Sequence, residues 1–174
     1  MGKKSYQRII IQIRNRGENL SELNKSSSQE QMNAEHIIFE MVEKLLKLEL
    51  ESNCKIFLAD NAFTYIQPDF YSENGAIIGE IFAHIGKPKR AQDNKIANDI
   101  LKMLLLEKVK NKKFRKFIVV CDEEEEKKLR GISALAESIR QFEIEIIRID
   151  IHDKLKLSIA DAQKRQRMVN AQKG

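Results

Sequence analysis

Two acidic residues, Asp69 and Glu80, lie on either side of an Asn74-Gly75 pair, in a stretch with the alternation of two β-strands. Asn-Gly is a strong signal for a two-residue type I′ hairpin turn, because both residues tolerate a positive φ. The resulting register places these residues opposite each other: Glu73 and Ala76, Tyr71 and Ile78, Asp69 and Glu80. The sequence therefore predicts that two carboxylates meet across the hairpin.

Two carboxylates directly opposite on neighbouring strands repel each other and lower stability. A hard cation such as Mg²⁺ removes the repulsion, since it takes oxygen ligands from one or two carboxylates together with a substrate phosphate. Glu80 also lies in a strongly apolar stretch, where an unpaired charge is costly. The pair thus predicts a metal site. In the alternative interpretation the register is shifted, and both acids face solvent or pair with lysines.

Glu35 is a third candidate ligand. A helix is predicted over residues 29–51, and the spacing of Glu35 from Ile38 and Val42 places it on the stripe that faces the core. An acid that points inward there could bind the same ion or support its ligands. An acid near a helix start also complements the helix dipole, which is the simpler explanation of this residue taken alone.

Hydrophobic periodicity predicts the elements that position these residues. Residues 5–14 are ambiguous between strand and helix, and residues 17–28 are predicted to be a polar linker. After the first helix we expect, in order, strands 55–60, 65–71 and 76–85, a helix that ends near residue 109, strand 114–121, helix 123–141, strand 142–151 and a polar, basic helix over 158–173. A hairpin followed by helical crossovers predicts an α/β fold with a mixed central sheet and helices on both faces.

The sequence predicts where the second long helix starts and which of its faces is apolar. Pro88 suits its first turn. Its apolar stripe is predicted to consist of Ala97, Ile100, Leu101, Leu104 and Leu105. For the whole chain we predict an N-terminal arm and linker at 1–28, a core domain at 29–152 and a basic C-terminal segment at 153–174.

Pro68-Asp69, the acid at Glu80 and the order helix–strand–strand–strand–helix–strand resemble the PD-(D/E)xK nuclease superfamily, which has the restriction-endonuclease-like fold. The resemblance covers roughly residues 30–152. It implies that Glu35, Asp69 and Glu80 bind Mg²⁺, for which Mn²⁺ can substitute. It also implies a metal-dependent endonuclease that hydrolyses phosphodiester bonds, of DNA more readily than of RNA.

Members of that superfamily carry a lysine two residues after the last acid, and Phe82 occupies this position here. Some members resemble this chain in carrying the lysine on the following helix. Lys95 is the predicted replacement, with Lys89 second and Lys102 third. If none of them replaces it, the site is inactive, and the domain only binds nucleic acid or a protein partner.

Two further polar residues are secondary candidates. Gln92 lies one turn before Lys95 and matches an auxiliary polar position of the superfamily. His84 has the strand parity of Glu80, so it could contact phosphate or transfer a proton near neutral pH. A histidine near a strand end is more often a hydrogen-bonded structural residue.

The charge balance favours a polyanionic partner, with a net charge of +5 and a pI of about 9.1. Basic residues cluster between residues 87 and 116 and again between 164 and 173. Such clusters suit contacts with the phosphates of a nucleic-acid backbone. Ordinary solvated surface charge explains either cluster equally well. The predicted nucleic-acid contacts are Lys87, Lys89, Arg90 and Lys102.

The remaining features limit the class of protein to which the chain can belong. A chain of 174 residues suits one domain with extensions. Two cysteines without a CxxC pair suggest free thiols, which fits a cytoplasmic protein, and no apolar stretch is long enough for a membrane span. Residues 6–13 could form an arm that adds to another subunit's sheet and produces a homodimer.

Overall fold

The structure, a computed structural model, describes residues 20–58, 63–87 and 89–171, with side chains described between residues 29 and 165. The predicted arm at 6–13 and the predicted helical position of Pro88 lie outside the described residues. Among the described helices, none combines the length and the apolar character that crossing a membrane requires.

The described elements are, in chain order, α1 Leu20–Leu46, β1 Glu51–Ser52, β2 Ile56–Phe57, β3 Tyr65–Ile66, β4 Phe70–Ser72, β5 Ile77–Phe82, α2 Arg90–Lys110, β6 Arg115–Val120, α3 Glu123–Leu129, α4 Ala134–Gln141, β7 Ile144–Arg148 and α5 Asp153–Ala171. The main sheet has the order β1–β4–β5–β6–β7. Its first two pairings are antiparallel and its last two are parallel. The predicted α/β class with a mixed sheet is confirmed.

Helices cover both faces of this sheet, as predicted. On one face, α1 and α5 bury Ile38 and Ile159 against strand residues such as Ile81. On the other, α2 and the α3–α4 pair bury Ile96 and Ile139 against the opposite sides of β5 and β6. Because β5 is buried along its whole length, any polar side chain on it lies inside the protein.

The first part of the chain differs from the prediction. Residues 20–28, predicted as linker, belong to α1, because this stretch has no glycine or proline to stop a helix from propagating. The helix ends at Leu46, and Lys47 has a left-handed φ of 54°. Glu51, predicted to end the helix, instead forms the edge strand β1 together with Ser52, beside β4.

The structure also differs from the prediction at the predicted strands 55–60 and 65–71. Residues 56–57 and 65–66 pair with each other in a separate two-stranded ribbon, β2–β3. Pro68 lies between this ribbon and β4, and proline interrupts a strand because it has no N–H to donate to a neighbour. The predicted second strand is therefore two short strands that belong to different sheets.

Two helices near the C-terminus need correction. The predicted helix 123–141 is divided into α3 and α4, since Ser133 caps a new helix by accepting a hydrogen bond from the Ala136 N–H at 3.1 Å. The last helix begins at Asp153, and its residues Ile159 and Ala162 are buried in the core. The segment after residue 152 therefore contributes to the core.

The hairpin has the predicted register but another turn. Tyr71 pairs with Ile78, and Ser72 pairs with Ile77. The positive φ falls on Ala76, at 49°, and neither Asn74 nor Gly75 has one, so the type I′ prediction was wrong. The loop length and the burial of one strand face fix the register, whichever residue adopts the left-handed conformation.

Gly79 is required by the packing of its cross-strand partner. A Cβ atom added at Gly79 would overlap the ring of Phe70, which is fully buried. We expect Gly79→Ala to lower the free energy of unfolding by about 3 kcal/mol, measured by urea denaturation. The matched control is Gly75→Ala, whose Cβ would meet only the movable Ser72 hydroxyl, at 3.1 Å, so equal losses in the two variants would contradict this packing.

Candidate metal and catalytic site

The hairpin brings the two predicted acids together. Phe70 pairs with Gly79, so Asp69, immediately before it, falls opposite Glu80. The Asp69 Oδ2 atom accepts a hydrogen bond from the Ile81 N–H at 2.7 Å, which fixes the carboxylate beside β5. The Asp69 charge also raises the pKa of Glu80, so the two carboxyl groups are close enough to affect each other. Both acids therefore point to the same face of the sheet.

Burial controls the protonation of this pair. Glu80 is only 6% exposed, and desolvation, followed by the charges of Asp69 and Asp99, raises the pKa of Glu80 to about 9. Desolvation also raises the pKa of Asp69, although the hydrogen bond from Ile81 and the charge of Lys95 act in the opposite direction. Near neutral pH the metal-free pair therefore holds a proton.

A third acid, Asp99, lies against the pair and was missed in the sequence. It is carried by α2, is 2% exposed, and its charge raises the pKa of both other acids. Asp99 Oδ1 accepts a hydrogen bond from Lys102 Nζ at 2.7 Å, whereas Oδ2 is buried and has no hydrogen-bond partner. A buried oxygen of this kind is costly unless a ligand satisfies it.

The sequence held a signal for Asp99. The apolar stripe of α2 was predicted around Leu101 and Leu105, both of which are exposed. The buried face consists of Ile96, Asp99, Ile100, Met103 and Leu106. Both stripes have helical spacing, but the buried one has an aspartate within it. An acid inside an apolar stripe indicates a functional residue.

Lys95 lies next to Phe82. Its Nζ is 4.8 Å from the centroid of the Phe82 ring. From there its charge lowers the pKa of both Asp69 and Glu35. The ammonium group is thus close to the position that a lysine at residue 82 would serve. Lys102, by contrast, is paired with Asp99 and acts on Glu80 from the other side.

Glu35 faces Asp69 across an open cleft, which we call the Asp69 cleft. This cleft has a volume of about 580 Å³ and includes Glu35, Asp69 and Ile81 in its lining. Desolvation raises the pKa of Glu35, while a hydrogen bond from Gln31 Nε2 at 2.9 Å lowers it. The two acids are electrostatically coupled, with Glu35 on α1 and Asp69 at the start of β4.

The structure shows the local setting of the three secondary candidates, Gln92, Lys89 and His84. The Gln92 Oε1 atom accepts a hydrogen bond from the Lys89 N–H at 2.6 Å, so both residues form the cap of α2. β5 ends at Phe82, so strand parity does not extend to His84 as predicted. Lys87, Lys89 and Arg90 are exposed, as phosphate contacts require.

The predicted basic cluster is smaller than the sequence indicated. Five basic residues of its second half share three acids in ion pairs, which reduces its charge: Lys110 and Lys112 with Glu73, Lys113 and Lys116 with Glu107, and Arg115 with Glu145. Lys116 is only 3% exposed and supports the core. Lys102, predicted to contact nucleic acid, has its ammonium directed at Asp99.

The donor set suits a hard cation. Asp69, Glu80 and Asp99 offer carboxylate oxygens, and Asp99 Oδ2 lacks a partner. In the described part of the chain, no three His, Cys, Asp or Glu side chains are already arranged to enclose an ion. Mg²⁺ does not need a full protein cage, because it retains waters and binds one or two carboxylates with a substrate phosphate. The paired acids meet that requirement.

Comparison of the chain with protein-family models, with characterised proteins and with solved structures gives no match. Any assignment of function therefore depends on the chemistry of the site.

Proposed function

We propose that this protein is a Mg²⁺-dependent nuclease that hydrolyses phosphodiester bonds of nucleic acid, with DNA as the preferred substrate. The observation that carries the proposal is the approach of the partly buried Asp69 to the buried Glu80, with the buried Asp99 beside them. Such an arrangement is unfavourable on its own, and a divalent cation with a bound phosphate relieves it.

The topology supports the proposed relationship to the PD-(D/E)xK superfamily. With the separate ribbon strands β2 and β3 left aside, the order α1–β1–β4–β5–α2–β6 is compatible with the helix–strand–strand–strand–helix–strand order on which the resemblance rests. The resemblance implies an acid on the second strand and another on the third; Asp69 immediately precedes β4, and Glu80 lies on β5.

Each residue has a defined role in the proposed reaction. A bound Mg²⁺ would polarise the phosphate and lower the pKa of an attacking water. Asp69 and a deprotonated Glu80 would hold the ion, and Asp99 pairs with Lys102 beside them. Lys95 orients the water or offsets charge that develops on the phosphate. Glu35, across the cleft, supports the ligands.

The test is a cleavage assay of the full chain with Mg²⁺ or Mn²⁺ on plasmid, linear duplex, single-stranded DNA and RNA. We expect cleavage that requires the metal and is lost on chelation. Failure to cut any of these substrates with either metal would overturn the nuclease proposal.

A second candidate is an inactive domain of the same fold that binds nucleic acid or a protein partner. The observation that favours it is Phe82, which occupies the lysine position and can neither donate a hydrogen bond nor carry charge. Metal-dependent binding of DNA without cleavage would select this candidate.

Lys95 separates the two candidates. We expect Lys95→Ala to lower kcat by about a hundredfold, because it removes a charge next to the reacting phosphate, and to leave DNA affinity nearly unchanged. Lys108→Ala is the matched control, since this lysine is exposed on the same helix. Single-turnover cleavage rates measure the effect. Equal rates in the two variants would exclude Lys95 as the displaced lysine.

A further inference from the structure

The β2–β3 ribbon exposes an aromatic pair. Phe57 pairs with Tyr65, and the neighbouring pair, Ile56 and Ile66, is buried against the core. Because side chains alternate along a strand, Phe57 and Tyr65 project away from the protein. They are 50% and 44% exposed, and their ring centroids are 5.9 Å apart in an edge-to-face arrangement. Aromatic surface exposed in this way suits a ligand with flat, stackable groups.

A positive charge accompanies the rings. Lys55 Nζ lies 4.7 Å from the centroid of the Tyr65 ring. An aromatic surface with an adjacent ammonium group fits a nucleotide, whose base stacks while its phosphate contacts the cation.

The residues that flank the ribbon connect it to the Asp69 cleft. Gln67 Nε2 donates to the Asn53 carbonyl oxygen at 2.9 Å, and both residues line the cleft. On the opposite wall, α1 contributes Gln29 and Asn33. Amide side chains donate and accept hydrogen bonds without a net charge, which is how proteins recognise base edges.

We propose that the ribbon and the cleft together bind unpaired nucleotides. One base stacks on Phe57 and Tyr65, and a neighbouring base enters the amide-lined cleft. The intervening backbone then reaches Asp69, whose Cα is at most about 14 Å from that of Tyr65 by chain length. Bases in a duplex are stacked on each other and offer no free face. The substrate class is therefore single-stranded or locally unpaired nucleic acid, which rests on the proposed nuclease function.

The aromatic pair could also stabilise the ribbon, because cross-strand aromatic pairs strengthen short strands. The variants must therefore remove the rings and preserve the strands. Valine does so, since β-branched residues favour strands and offer no flat face. Tyr65→Phe retains both rings. Phe142→Val is the matched control, since Phe142 is 45% exposed and lies after α4, outside the ribbon.

The experiment measures affinity of the full chain for a labelled single-stranded oligonucleotide and for the corresponding duplex. Fluorescence anisotropy is recorded with Ca²⁺, which takes the same oxygen ligands as Mg²⁺. We expect the double variant Phe57→Val/Tyr65→Val to lose about tenfold in single-strand affinity and little in duplex affinity. Tyr65→Phe and Phe142→Val should behave as the parent does.

A variant independent of ribbon stability is Lys55→Gln, which leaves both rings in place. It should weaken single-strand binding. It should also reduce the slope of the logarithm of the binding constant against the logarithm of the salt concentration by about one. Unchanged single-strand affinity in both the double variant and Lys55→Gln, or equal losses on duplex, would overturn the inference. If the parent cuts nucleic acid while these variants bind normally, only the inference fails. If nothing is cut but single-strand binding depends on the rings, only the nuclease proposal fails.

Discussion

Replacing Glu80 with glutamine should reduce Mg²⁺-dependent cleavage at least about a thousandfold. Glutamine has nearly the same shape but cannot bind the ion as a carboxylate, and Glu80 is one half of the pair that would hold it. Asp69→Asn should have a similar effect, while its amide oxygen can still accept the hydrogen bond from the Ile81 N–H. Both losses should appear in kcat, measured with saturating metal.

The matched control is Glu73→Gln, which changes an acid in the same hairpin. Glu73 pairs with Lys110 and Lys112 on the protein surface, so its loss should cost some stability and no activity. Far-ultraviolet circular dichroism establishes that each variant is folded. If Glu80→Gln cuts as fast as Glu73→Gln does, the acid pair is not the metal site.

The second large effect concerns stability and pH in the absence of metal. Glu80 has a pKa of about 9 in the folded protein, above its ordinary value of 4.5, so the folded state binds its proton more tightly than the unfolded state does. Stability is therefore lost as the pH rises between these two values. Desolvation is the main cause of the raised pKa, and the charges of Asp69 beside β5 and Asp99 on α2 add to it, whereas the charge of Lys102 on α2 lowers it.

Glu80→Gln should remove this dependence. The difference in unfolding free energy between the variant and the parent should grow with pH in that window, by up to about 1.4 kcal/mol per pH unit. Urea denaturation in EDTA at several pH values measures it. Mg²⁺ should flatten the curve of the parent, because binding the ion replaces the proton. Parallel curves for parent and variant would show that Glu80 is not protonated in the folded state.

The sequence was sufficient for the part of the site that depends on local pattern. Alternation and loop length gave the pairing of Tyr71 with Ile78, and hence the approach of Asp69 to Glu80, although the turn residue that adopts positive φ is Ala76. The register survives that error because a one-residue slip would expose every buried side chain of the strand.

Other parts depend on tertiary contacts that periodicity does not report. The strand at Glu51–Ser52 has two residues and exists through its pairing with β4, so no local signal marks it. Asp99 was missed because the predicted stripe of α2 followed the leucines at 101, 104 and 105, whereas the buried face also includes Ile96, Met103 and Leu106. A single helix can carry two apolar stripes, and the sheet selects the one that is buried.

The position of α5 has a consequence for how the chain folds. The face of the sheet under α1 is completed by Ile159 and Ala162, so the earliest and the last of the described helices share one core. During synthesis α1 emerges well before its partner and has only part of its final apolar surroundings. Contacts so distant in sequence slow folding and leave apolar surface open to chaperones on the ribosome.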